Sequence, residues 1–86
     1  MRMARRNIEE YQRVLSILDS NSYKDKDGIL SLSNIEAIFV ATTDKVRPET
    51  IKAHIDQMCR LKLFIKRGEV SYILASDWKD IIKQFI

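Results

Sequence analysis

Eighty-six residues with 45% apolar side chains, 31% charged ones and a net charge of +3 fit a single soluble globular domain and argue against extensive disorder. The longest apolar run, 35–41 with Glu36 inside it, falls far short of the ~20 residues of a membrane span. The basic start leads into Asn7-Ile8-Glu9-Glu10 rather than a signal-peptide core, so an intracellular, cytoplasmic protein without membrane contact is expected.

Ile8, Tyr11, Val14, Leu15 and Leu18 recur at helical spacing and predict an amphipathic first helix over 7–20, with Ile17 to one side as an exposed residue or part of a dimer seam. The polar stretch 21–28 predicts a loop. Within it Asp25-x-Asp27-Gly28 has the outline of a calcium loop, but that register puts Tyr23 at the first ligand position and Asn34 at the twelfth, so an Asx-type turn is expected. Ile29-Leu30-Ser31-Leu32 predicts a short strand. Ser33-Asn34-Ile35-Glu36 then reads as a capping box opening a helix over 34–41, with Ile35, Ile38 and Phe39 inward and Thr42-Thr43-Asp44 ending it. Val46 is expected to plug the following turn into the core.

Pro48 suits a first helical position, and the spacing predicts a helix over 48–61 that buries Ile51, Ile55, Met58 and Cys59. Glu49, Lys52, Ala53, Asp56, Gln57 and Arg60 then face outward, with Thr50 and His54 on a shoulder. Two β-rich runs, 63–67 and 70–74, flank Gly68-Glu69 and predict a short hairpin. Ser76 or Asp77 caps a last segment whose Trp78, Ile81, Ile82, Phe85 and Ile86 form an apolar stripe in need of cover. The fold class is therefore α+β, one domain over 1–86, with a core over 7–75 and a C-terminal helical segment over 76–86.

Chemistry-bearing residues are sparse. One cysteine, Cys59, excludes an internal disulfide and a multi-thiolate zinc site, and one histidine, His54, lacks partners for a triad or a histidine-rich metal centre. No enzyme, metal, cofactor or small-molecule ligand is expected. The basic residues are more informative in their distribution than in their sum. Arg2, Arg5 and Arg6 form an N-terminal arm, Lys45 and Arg47 flank the turn before the third helix, and Arg60, Lys62, Lys66 and Arg67 run from that helix into the hairpin.

Val46-Arg47-Pro48-Glu49-Thr50-Ile51, the apolar repeat through Ile55 and Met58, then Leu61-Lys62-Leu63-Phe64-Ile65 and a basic hairpin resemble the recognition helix and wing of winged helix-turn-helix transcriptional regulators. The resemblance spans about residues 8–74. It is greatest to the small one-domain regulators of archaea, their plasmids and their viruses, and to the DNA-binding core of the MarR and ArsR families. These families usually carry Gly where Lys62 stands, so Lys62 must adopt whatever conformation closes the helix.

The resemblance implies an element order α1-β1-α2-α3-β2-β3-α4, a sequence-specific double-stranded DNA-binding regulator of transcription, and a third helix, 48–61, in the major groove. Arg47, Glu49, Thr50, Ala53, His54 and Gln57 are then candidates for reading bases, Gln57 on adenine and Arg47 on guanine or phosphate. Ser33, Asn34, Lys45, Lys52, Arg60, Lys66 and Arg67 are candidates for the DNA backbone, the hairpin over 64–74 supplying the last two. Glu49 also has a simpler role as a partner of Lys52, and Asp56 as a partner of Lys52 and Arg60. The arm Arg2, Arg5 and Arg6 is either a minor-groove contact or a solvated tail. A homodimer is expected, its seam formed by Trp78, Ile81, Ile82 and Phe85. The alternative is a winged-helix module that binds protein without DNA specificity, which the modest charge and the acids Glu49 and Asp56 keep open.

Overall fold

The computed structural model describes residues 5–20 and 22–85; the Arg2 and Ile86 expectations lie outside them. These residues form four helices and a three-stranded antiparallel sheet in the order α1 (Arg5–Leu18), β1 (Ile29–Ser31), α2 (Leu32–Thr42), α3 (Pro48–Arg60), β2 (Phe64–Lys66), β3 (Ser71–Leu74) and α4 (Trp78–Lys83). The class is α+β, as expected, and the layout is compatible with a winged helix. Among the described residues no helix is long and apolar enough to cross a membrane.

Each helix is held by its apolar stripe. Ile8, Tyr11, Val14, Leu15 and Leu18 of α1 meet Ile35, Ile38 and Phe39 of α2 and Ile51, Ile55 and Met58 of α3 in one continuous core. Ile17 is half-buried against that core, which corrects the expectation that it is exposed. The sheet closes the core from the other side. Its strand order is β1-β3-β2, with Leu30 opposite Tyr72 and Phe64 opposite Leu74, so Leu30, Phe64, Tyr72 and Leu74 all point inward.

The loop before β1 is an Asx turn. One carboxylate oxygen of Asp25 accepts the amides of Asp27 at 2.8 Å and Ile29 at 3.0 Å, and Gly28 supplies the positive φ of 77° that closes it. The expected capping box does not form. Ser31 is the N-cap of α2, its hydroxyl accepting the Asn34 amide at 3.2 Å, and Ser33 lies inside the first turn. The helix starts earlier because the Leu32 amide donates to the Val70 carbonyl, just before β3, at 2.9 Å, running β1 directly into α2.

The C-terminal stripe is covered by the chain's own α1. Trp78 and Ile82 are only 4% and 2% exposed, and the Trp78 indole donates to Asp19 at 3.2 Å. This corrects their placement in a dimer seam: both belong to the core, and among the described residues of the stripe Ile81 and Phe85 stay half-buried at the surface.

Candidate nucleic-acid interface

The turn 43–47 sets the pose of α3. Thr42 and Thr43 hydroxyls donate back to the Ile38 and Phe39 carbonyls at 2.7 and 2.6 Å, closing α2 with local side-chain bonds. Arg47 is then the N-cap of α3 without a side-chain cap bond, and Pro48 occupies the first helical position. At the far end the Lys62 amide bonds Cys59 and the Leu63 amide bonds Met58, at 3.0 and 2.9 Å, a Schellman closure. That closure needs a left-handed residue, and Lys62 takes φ 69° where glycine is the usual solution.

Ile51, Ile55 and Met58 anchor α3 inward, leaving Glu49, Lys52, Ala53 and Arg60 exposed in front, with Arg47 exposed at its leading end. Lys66 and Arg67 are exposed on the hairpin, whose tip is tied by Arg67 and Gly68 amides to the Ser71 carbonyl at 2.9 and 3.3 Å. Among the described residues Arg47, Lys52, Arg60, Lys66 and Arg67 make no ion pair, so their charge is open to a ligand. The expected pairs of Glu49 with Lys52, and of Asp56 with Lys52 and Arg60, are likewise not formed.

Other candidates are engaged elsewhere. Lys45 is buried beside Glu10 of α1, their side chains 12% and 7% exposed, and its ammonium also lies 3.4 Å from Asp44. It is therefore a structural cation, not one offered to a phosphate; burial beside an opposite charge outweighs the default outward reading of lysine. Arg5 and Arg6 lie in α1, paired with Glu9 and Asp44, rather than in a free arm. Val46 does not plug the core; it is 65% exposed, because the turn is fastened by the threonines and by Lys45 instead. Ser33 and Asn34 are exposed, but the Asn34 amide is already taken by Ser31.

The base-reading group divides in two. Arg47, Glu49 and Ala53 face outward and Thr50 is half-buried beside them. Arg47 and Thr50, with Arg6, Asn7, Asp44 and Val46, line a shallow groove between the leading end of α3 and the start of α1. His54 and Gln57 instead turn toward α1, where the Tyr11 hydroxyl lies 2.5 Å from His54 Nδ1 and 3.1 Å from Gln57 Oε1. Bidentate adenine reading by Gln57 would compete with that contact. Burial, and then the Lys45 ammonium, hold the His54 imidazole below its usual range, Glu10 and Asp44 pulling the other way. Cys59 is half-buried, and burial together with Asp56 pushes its thiol up, as befits a packing residue.

The chain matches no family model, no curated protein and no solved structure.

Glu10 and Tyr11 are the participants that sequence reasoning missed. Tyr11 reads as an ordinary member of the apolar stripe, and its hydroxyl has no partner within the helix to announce it. Glu10 lies four residues before Val14, on the flank of the same face, and that spacing is the signal that its carboxylate would be drawn inward.

Proposed function

We propose that the chain is a sequence-specific double-stranded DNA-binding regulator of transcription with a winged helix-turn-helix head. In this reading α3 enters the major groove and the β2–β3 hairpin lies on the adjacent backbone. The observation that carries it is the set of exposed cations that make no ion pair among the described residues, Arg47 at the N-cap of α3, Lys52 and Arg60 on α3, and Lys66 and Arg67 on the hairpin. Duplex DNA presents one negative charge per ~1.7 Å of axis, which such cations would neutralise. Arg47, Glu49, Thr50 and Ala53 are the side chains available to base edges at the leading end. Two such heads joined through Ile81 and Phe85 would read half-sites one turn apart, about 34–36 Å.

Paired mutants test the assignment on duplexes selected from a random pool. Arg47→Ala is expected to relax base preference at one position, costing about 1–3 kcal/mol on the best sequence. Lys66→Ala and Arg67→Ala are expected to weaken all duplexes alike. Binding like the parent in both groups would remove this face as the site.

A further inference from the structure

Counting protons between α1 and α3 assigns a role to His54 that its burial alone would not reveal. The Tyr11 side chain is fully buried, and its hydroxyl has a single proton to give. Gln57 Oε1, 3.1 Å away, can only accept, so that proton goes to Gln57. The Tyr11 oxygen must then accept from its other neighbour, 2.5 Å away, which requires a proton on His54 Nδ1. The rings enforce this geometry: Tyr11 meets His54 edge-on at 5.6 Å, and Phe39 of α2 backs the imidazole at 6.3 Å.

Among the described residues the charges that act on the imidazole are Glu10 from α1 and Asp44 and Lys45 from the turn; α2 contributes Phe39 and α3 contributes Gln57. Lys45 is neutralised by Glu10, so no unpaired acid is left to hold a second imidazole proton. A neutral ring with its proton on Nδ1 has a bare Nε2. Among the described residues Nε2 has no hydrogen-bond partner, and they contain no buried side-chain nitrogen or oxygen without one, so Nε2 opens to solvent on the shoulder of α3.

We propose that Tyr11 is a positioning residue that locks His54 as the Nδ1–H tautomer, so that Nε2 accepts a hydrogen bond from the exocyclic amino group of adenine or cytosine in the major groove. This rests on the DNA reading above. Adenine N6 and cytosine N4 are the major-groove donors, whereas guanine and thymine offer acceptors there. Protonation of His54 puts a hydrogen on Nε2 and inverts the preference toward guanine. The amino-group preference therefore holds at neutral and basic pH and is lost as the pH falls below the usual histidine range.

Two measurements on the 86-residue chain test the proposal separately from the reading beneath it. Long-range proton–nitrogen spectra of the free, ¹⁵N-labelled protein are expected to show the proton on Nδ1 alone, and Tyr11→Phe, which keeps the ring, to give a tautomer mixture. Selection from a random duplex pool is expected to show one base pair at which His54→Ala and Tyr11→Phe both lose about tenfold discrimination, the rest of the site being unchanged. A proton on Nε2 in the parent, or a tautomer unmoved in Tyr11→Phe, would overturn the lock. A site unaltered by His54→Ala would overturn the base contact. The expected tautomer with no duplex enriched would instead overturn the DNA reading, and the base contact with it.

Discussion

Lys62 carries the positive φ on which the end of α3 depends, and among the described residues its side chain makes no ion pair. A left-handed lysine costs about 1–2 kcal/mol relative to its right-handed form, and part of that is recovered if the residue is glycine. Lys62→Gly is therefore expected to stabilise the chain by about 0.5–1 kcal/mol, and Lys62→Val to destabilise it, both read from urea or thermal unfolding. The position was legible only through the resemblance, whose families usually carry glycine there; the left-handed conformation of Lys62 itself was not, since no local pattern announces it. Nor were Val46 and Lys45. A single apolar residue in a turn has no period to say which way it faces, and Val46 faces out. Lys45 owes its burial to Glu10, thirty-five positions away, a pairing that no local pattern encodes.

Among the polar contacts between elements, one in the first half of α1 and one just past its end carry separate predictions. The Glu10–Lys45 pair joins α1 to the turn before α3, and removing one partner strands a buried charge. Lys45→Met is expected to cost about 3 kcal/mol, whereas Glu10→Leu with Lys45→Met restores much of it; equal losses in the single and double variants would contradict this. At the other end Asp19 accepts from Lys24 at 2.8 Å and from Trp78 of α4 at 3.2 Å. Lys24 chiefly, aided by Trp78 against the opposing effect of burial, holds the Asp19 carboxyl below the usual carboxylate range. A depressed carboxylate contributes stability above its unfolded pKa, about 4, and loses it as the pH falls through the folded value. Unfolding midpoints measured below about pH 4 are therefore expected to fall less steeply for Asp19→Asn than for the parent. Trp78→Ala is expected to cost about 3–5 kcal/mol in thermal or urea unfolding, as the loss of a core residue does, and to leave the oligomeric mass by light scattering equal to that of the parent. A loss below about 1 kcal/mol, or a lowered mass, would return Trp78 to a subunit interface. The apolar stripe of α4 was legible, but its partner was not, since hydrophobic spacing shows that a face is covered and not by which chain.

At the scale of the whole molecule, a net charge of +3 understates the surface that matters. Internal pairing removes Arg5, Arg6, Lys24 and Lys45 from the open cations, and the hairpin and α3 keep Arg47, Lys52, Arg60, Lys66 and Arg67. The hairpin also exposes Ile65 and Val70, at 52% and 60%, and α3 exposes Glu49, features that a protein partner would use as readily as a duplex. Salt separates the two. Four to five phosphate contacts give a log–log slope of affinity against salt of about −4, at −0.9 per neutralised phosphate. The most direct measurement is the affinity of the 86-residue chain for a labelled duplex across a salt series, by fluorescence anisotropy. A slope near −4 that falls by about one unit in Lys66→Ala and again in Arg67→Ala is the expected result; no duplex binding at low salt, or a slope near zero, would contradict the account.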